Sequence, residues 1–253
     1  MELLQVTNVN KIYNTKLGMQ QCVALQGVSF DVSEGEFVAI MGASGSGKTT
    51  LLNILASLDK PTDGEVYLDG KAFSAIKSKE LSEFRREHLG FVFQDFNLLD
   101  TFSLKDNILL PLVLLKSPIK DMEAKLEPLA KMLDIEPLLK KYPYEVSGGE
   151  KQRAAVARAV IANPRLLLAD EPTGALDSKS SQQLLSIFAS LNRGGKTILM
   201  VTHSSMAASY ASRVLFIKDG QLFSQIYRGS DDNKTFFDRI VSNLSVIGGA
   251  DIG

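Results

Sequence analysis

The stretch Gly42-Ala43-Ser44-Gly45-Ser46-Gly47-Lys48-Thr49 limits this chain more than any other. It follows an apolar run, Glu36 to Met41, and opens a segment with helical patterning, Lys48 to Leu58. A glycine, four residues and then Gly-Lys-Thr, set between a strand and a helix, is the pattern of a phosphate-binding P-loop. Its glycines let successive backbone N–H groups curl round phosphate oxygens without Cβ clashes, and the helix that follows directs its positive N-terminus at the same charge. Lys48 is suited to reach β- and γ-phosphates, and the Thr49 hydroxyl to ligate Mg²⁺. With Thr50, the candidate nucleotide-binding run is continuous from Gly42.

The rest of the chain fits a parallel sheet covered by helices. Leu89 to Phe93, Leu166 to Ala169 and Thr197 to Val201 are apolar runs of strand length, and Leu184, Leu185, Ile187, Phe188 and Leu191 mark one face of a helix. Asp69-Gly70 and Asp219-Gly220 are turn signals between apolar runs, so antiparallel strands are expected as well. From 101 to 143 the pattern is helical, with Ser117 as N-cap, Pro118 as first helical residue, and Pro128 and Pro137 as breakers. The polar segment Gly229 to Lys234 reads as a linker into a short final helix, Thr235 to Leu244, before a frayed IGGADIG tail. The expected organisation is one α/β domain over 1–253. Residues 1–100 and 144–228 form its core, with a mainly parallel sheet and an antiparallel β part. Residues 101–143 form an inserted α-helical lobe, and 229–253 a C-terminal extension.

Charge and cysteine usage narrow the setting. Twenty-eight basic residues against 29 acidic ones give a net charge of −1, so no global field recruits nucleic acid or an anionic membrane, and any anion site is local. The single Cys22 suits a reducing compartment, and the opening MELLQVTNV lacks a signal-peptide layout. The longest apolar stretch, Ile108 to Leu115, contains Pro111 and falls far short of the roughly 20 residues that cross a bilayer. The cytoplasm is the expected address.

Leu166-Leu167-Leu168-Ala169-Asp170-Glu171 is an apolar run that ends on two carboxylates. On a strand, consecutive side chains point opposite ways, so one carboxylate can face a magnesium ion and its neighbour a water. That divides metal holding from general-base chemistry. Asp170 is assigned to the metal and Glu171 to the water.

Between these two motifs lies Ser147-Gly148-Gly149-Glu150, followed by KQRAAVARAVIANP, which resembles the signature motif and helix of ABC ATPases. Ser147 and the glycines open a helix whose N-terminal amides make a second phosphate-binding end, with Arg153 and Arg158 at its polar positions. The resemblance implies that the signature of one copy closes over the P-loop ATP of another, hence a homodimer on ATP binding. It also identifies Gln94, after LGFVF, with the Q-loop glutamine, which serves Mg²⁺, the attacking water and coupling to a membrane partner. Ala175-Leu176-Asp177 resembles the D-loop, and His203 after TILMVT the switch histidine on the γ-phosphate. Tyr13 in NKIYN resembles the aromatic that stacks on adenine, a contact worth ~1 kcal/mol beyond its buried area. Two positions depart from the common pattern: Glu150 stands where Gln is usual, and Gly174 where Ser or Asn is usual. A carboxylate at a helix N-terminus stabilises the helix by roughly 0.3 to 1 kcal/mol but opposes an incoming triphosphate.

The phrases FRREHLGFVFQDFNLLDTFSLKDNILLPL, DEPTGALDSKSS, SRVLFIKDGQLFSQIYRG and TFFDRIVSNLSVIGG are similar to ATPases of bacterial transporters that confer resistance to bacitracin, nisin and related peptides. ATPases of macrolide-export, lipoprotein-release and cell-division complexes share many of them. The resemblance implies ATP and Mg²⁺ as cofactors and a transmembrane permease as partner. It further implies peripheral attachment at the cytoplasmic side of the membrane and an indirect link to a sensor kinase. Translation factors of this superfamily carry two cassettes in one chain, and its DNA-repair members need a long coiled coil between P-loop and signature. The span from Thr49 to Ser147 leaves no room for one. A signalling regulator that moves no substrate would carry the same motor.

Overall fold

The computed structural model describes residues 2–14 and 21–249. Its strands and helices are, in chain order, β1 (Glu2–Asn14), β2 (Gln21–Ser33), β3 (Phe37–Met41), α1 (Lys48–Leu55), β4 (Asp63–Leu68) and β5 (Lys71–Ala72). Then come α2 (Leu81–His88), β6 (Leu89–Val92), α3 (Leu104–Leu114), α4 (Ile119–Met132), α5 (Gly148–Val160) and β7 (Leu166–Asp170). The chain ends with α6 (Ser178–Arg193), β8 (Thr197–Val201), α7 (Ser205–Ala208), β9 (Arg213–Lys218), β10 (Gln221–Tyr227) and α8 (Asn233–Gly249). Two compact units form: Met1–Ser78 with Leu199–Gly253, and Lys79–Ile198.

The first unit holds an antiparallel sheet in the order β2-β1-β4-β5. It also holds the β10-β9-β3 portion of a mixed sheet, in which β3 runs parallel to β9 (Val38 opposite Arg213) and β10 antiparallel to it. Every residue of β3 is at most 1% exposed, because a strand covered on both faces reads as a continuous apolar run rather than an alternation. The end of β8 is held to β3 by the Thr202 N–H, which donates to the Ile40 carbonyl at 3.0 Å. Both turn signals are realised. Asp69-Gly70 (φ 52° and 73°) joins β4 to β5, and Asp219-Gly220 (49° and 74°) joins β9 to β10, as two-residue hairpins with both residues left-handed.

In the second unit β6 and β7 pair in parallel, with Leu89 opposite Leu166. Helix α5 packs on β6 and on α3. The approach to β6 is so close that a Cβ on Gly90 would lie 2.3 Å from the Ala159 carbonyl oxygen. Helix α6 buries Leu184, Leu185, Phe188 and Leu191, with Ile187 at the edge of that face.

Several local expectations are corrected. Pro118, not Ser117, occupies the N-cap of α4, and Ile119 is its first helical residue. Pro128 does not break that helix. Burial of Met122, Leu126 and Ala130 on one face outweighs the roughly 3 kcal/mol an interior proline costs, and Pro111 is carried inside α3 in the same way. The helix stops at Met132 without help from Pro137, the chain reversing through Asp134 at φ 52°. The final helix is longer than expected at both ends, so the IGG of the tail continues it, while 250–253 lie outside the described residues. Among the described residues no helix is long and apolar enough to cross a membrane.

Candidate nucleotide-binding and hydrolysis residues

In the first unit the phosphate loop leaves the buried end of β3 and runs into α1. Its glycines are dictated by space. A Cβ on Gly42 would sit 2.2 Å from the Ile217 carbonyl oxygen. One on Gly47, at φ 99°, would sit 2.4 Å from that of Ala24, and both obstacles are backbone. The Lys48 ammonium is buried and donates to the carbonyls of Gly42 (2.9 Å) and Ala43 (2.8 Å), so the lysine lies within the curl of its own loop. The Gly220 N–H donates to the Ser46 carbonyl at 3.1 Å and pins the loop to the β9–β10 turn. A cavity of about 440 Å³ is lined by Gly42–Ser46, His203, Lys218 and, from α8, Leu244 and Ile247. His203 lies two residues beyond the buried β8 and is exposed, and it lines the same cavity as the phosphate loop. Thr49 is exposed on the first turn of α1, and Thr50 interacts with Tyr13.

Tyr13 lies near the end of β1 and is 41% exposed. Its hydroxyl donates to Asp59 Oδ2 at 2.8 Å, and Lys11 Nζ sits 4.8 Å from its ring centre while donating to Asp59 Oδ1 at 2.7 Å. Burial and then the Asp59 contact push the phenol up from its ordinary value. Burial also pushes Asp59 up, but hydrogen bonds from Lys11 and Tyr13 outweigh it and hold the carboxyl below its usual range. The aromatic is thus steered by a carboxylate that its own sequence neighbourhood does not reveal.

The second unit gathers Gln94, Ser147–Gly149, Asp170, Glu171 and Asp177. Ser147 caps α5, and Glu150 closes the box. Its Oε2 accepts from the Ser147 N–H and from the Ser147 hydroxyl, both at 2.7 Å, and these bonds hold the Glu150 carboxyl below its usual range. Gly149 admits no side chain, since a Cβ would meet Ser180 Oγ at 2.7 Å. That serine is held by Asp177, which caps α6 by accepting from the Lys179 and Ser180 N–H groups (both 2.9 Å) and the Ser180 hydroxyl (2.6 Å). The bonds from Ser180 hold the Asp177 carboxyl low. The aspartate of the D-loop match, which the resemblance counts among the nucleotide-binding residues, is therefore also a helix cap.

Strand alternation does not separate Asp170 from Glu171, as the sequence had suggested. Strand β7 ends at Asp170, and Glu171 departs at φ 44° into a turn in which the Gly174 N–H donates to the Glu171 carbonyl at 2.9 Å. Gly174 packs against Gln94: a Cβ there would meet the Gln94 amide at 3.1 Å, which gives the unusual glycine a reason. Arg158 is likewise not a polar-face residue. Its guanidinium donates to the carbonyls of Phe96 (2.9 Å) and Asn97, and the burial that goes with this lowers its pKa. Sequence reasoning missed Gln152 altogether. This side chain is fully buried and its amide donates to Phe93 and Pro172. The available signal was a polar residue at a core position, since Gln152 shares the buried face of α5 with Ala155, Val156 and Ala159.

Comparison with known proteins agrees with these parts. Residues 25–174, more than half of the chain, match the family described as ABC transporter. The chain is 51% identical over 250 residues to the bacitracin export ATP-binding protein BceA of Halalkalibacterium halodurans, covering 98% of each. The dimeric structure of the ABC transporter cassette MJ0796 of Methanocaldococcus jannaschii matches with a TM-score of 0.81 at 40% identity, covering 89% of this chain and 98% of that one. A dimeric post-hydrolysis state of that cassette, bound to ADP and Pi, matches with a TM-score of 0.81 at 39% identity, with the same coverage. The chain belongs to the ABC transporter family, as its ATP-binding and ATP-hydrolysing subunit.

Proposed function

We propose that this subunit works as a homodimer that closes around MgATP and drives a transmembrane permease conferring resistance to bacitracin- or nisin-like peptides. It sits peripherally at the cytoplasmic side of the membrane through that permease, with an indirect link to a sensor kinase. One observation carries the dimer: a single chain has two phosphate-directed ends, the P-loop before α1 and the Ser147-capped start of α5. The dimeric form of the MJ0796 cassette supports it. The cargo reading rests on likeness along the whole length of the chain to the bacitracin export protein.

In this reading Tyr13 stacks on adenine, and the amides of Gly42 to Thr49 with Lys48 hold the phosphates. Lys48 exchanges the Gly42 and Ala43 carbonyls for phosphate oxygens when ATP enters. The donor set assigned to Mg²⁺ is the Thr49 hydroxyl, the Gln94 side chain and the Asp170 carboxylate. All can offer oxygen, as a hard cation that also binds phosphate requires. Held by these residues, the ion would supply positive charge against the phosphates. Glu171 accepts a proton from the attacking water, Gln94 orients that water, and His203 with Lys48 stabilises charge on the departing phosphoryl group. Ser147, Gly148 and Gly149 of the second copy supply further N–H donors, and Asp177 faces the nucleotide across the same interface.

The first test is Glu171→Gln. It is expected to bind ATP normally, accumulate as an ATP-dependent dimer on gel filtration, and hydrolyse about a hundredfold more slowly or worse. Near-normal turnover overturns the assignment of the base. The cargo is tested by deletion, which is expected to sensitise the producing cell to bacitracin or nisin; unchanged sensitivity to both removes the peptide reading.

A further inference from the structure

We infer that Gln152 is a positioning residue that sets the loop carrying Gln94 against the loop carrying Glu171. The inference rests on the roles proposed for those two residues. Gln152 lies one helical turn beyond Gly149 on the signature helix α5, is wholly buried, and carries no charge. Its Nε2 donates one hydrogen to the Phe93 carbonyl (3.1 Å) and the other to the Pro172 carbonyl (2.7 Å). Phe93 immediately precedes Gln94, and Pro172 immediately follows Glu171. One planar NH₂ group thus spans the backbone beside the residue assigned to the water and the backbone beside the residue assigned as base. Two carbonyl partners also settle which way round the amide lies, because the reverse orientation would set oxygen against oxygen.

The geometry around this clamp leaves it little slack. Pro172 has a fixed φ, Glu171 stands in the left-handed region at 44°, and the Gly174 N–H holds the Glu171 carbonyl at 2.9 Å. Gly174 in turn leaves room for the Gln94 side chain, whose amide would lie 3.1 Å from a Cβ there. Six residues further along α5, Arg158 donates to the Phe96 and Asn97 carbonyls, where the loop bends through φ values of 62° and 49°. Helix α5 therefore grips the Gln94 loop at its start and at its bend, and grips the Glu171 loop through the same amide that holds the start. A displacement of the Gln94 loop that keeps these bonds carries with it the helix that presents Ser147, and through Gln152 the backbone beside Glu171. This makes Gln152 the mechanical joint between the sensing loop, the signature helix and the hydrolytic carboxylate. Its effect is expected on chemistry rather than on nucleotide capture, since the two loops it joins carry the residues assigned to the water and to the base.

The test is Gln152→Leu in the full chain, which keeps the size of the side chain and removes both donors, together with Gln152→Glu, which sets a carboxylate oxygen against the two carbonyls. Expected for both is a fall in kcat of about tenfold or more, with KM and the nucleotide Kd, read from a fluorescent ATP analogue, within about twofold of the parent. A kcat within twofold of the parent overturns the inference. So does a Kd that weakens in step with kcat, which would mean a general structural role. Should Gln152→Leu not fold, Gln152→Met, which keeps the unbranched length, and Arg158→Lys, which gives up the forked donor at the bend, are read by the same split. Failure of the underlying assignment is separable: it would appear as normal turnover in Glu171→Gln, whatever the Gln152 variants do.

Discussion

The phosphate loop in the first unit and the motif cluster in the second bind their parts by different means. The loop is defined by exclusion. Gly42 and Gly47 are there because a Cβ would strike the backbone of Ile217 or Ala24, and the lysine is stored against carbonyls of its own loop. The cluster is defined by connection. Ser147 is tied to Glu150, Ser180 to Asp177, Gln152 to Phe93 and Pro172, and Arg158 to Phe96 and Asn97. A site made by exclusion fails abruptly when filled; a site made by connection loses performance in steps as single bonds are cut.

The largest effect that can break this comparison is in the loop. Gly47→Ala and Lys48→Ala are each expected to weaken ATP binding by about a hundredfold or more in calorimetric titration, the first by collision with the Ala24 carbonyl, the second by loss of the only loop cation. Gly45→Ala is the internal control. Its φ of 81° imposes about 1 kcal/mol of backbone strain, but no atom of the described residues lies within 4 Å of the new Cβ, so the loss of nucleotide binding should be smaller than at Gly47. Equal losses at Gly45 and Gly47 would mean that backbone strain, and not collision, governs the loop.

A smaller effect tests the connected cluster. Gly174→Ala places a methyl 3.1 Å from the Gln94 amide, which is the tip of a flexible side chain and can give way. Hydrolysis is expected to fall by roughly three- to tenfold while nucleotide affinity is unchanged. A loss as large as that of Gly47→Ala would show the cluster to be as brittle as the loop.

This contrast also explains what could be read from the chain alone. The P-loop was legible because its glycines, lysine and threonine stand in one short run, Gly42 to Thr49, whose spacing announces itself even though the backbones that exclude a Cβ at Gly42 and Gly47 belong to the distant Ile217 and Ala24. The parallel strands were legible because full burial leaves continuous apolar runs such as β3 and β8. What escaped was long-range. The Gln152 bonds join residues 59 and 20 positions apart, and Arg158 reaches back 62 positions to Phe96, so neither role has a local signature. The long strands β1 and β2, built around a register broken by several irregularities, also lack a clean alternation to announce them. Glu171 itself was named from the sequence, but its backbone departs from the expected strand alternation, because its left-handed φ takes it out of the strand geometry that its position implies.

Glu150→Gln is the smallest change and the one that most sharply isolates charge within the connected cluster. The glutamine oxygen can still accept from the Ser147 N–H, so the cap survives, and helix stability should fall by less than about 1 kcal/mol. What disappears is the negative charge that now accepts the hydrogen bond of the Ser147 hydroxyl at 2.7 Å and lies where a second copy's triphosphate would approach in the proposed dimer. With the carboxylate gone, the hydroxyl is released more readily toward phosphate. ATPase activity is expected to stay intact or rise, and the ATP-dependent dimer to form at lower protein concentration, with the gain shrinking as salt screens the charge. A hundredfold loss of activity would instead give Glu150 a direct part in the chemistry, and would mean that the cluster depends on this carboxylate as strictly as the loop depends on its glycines.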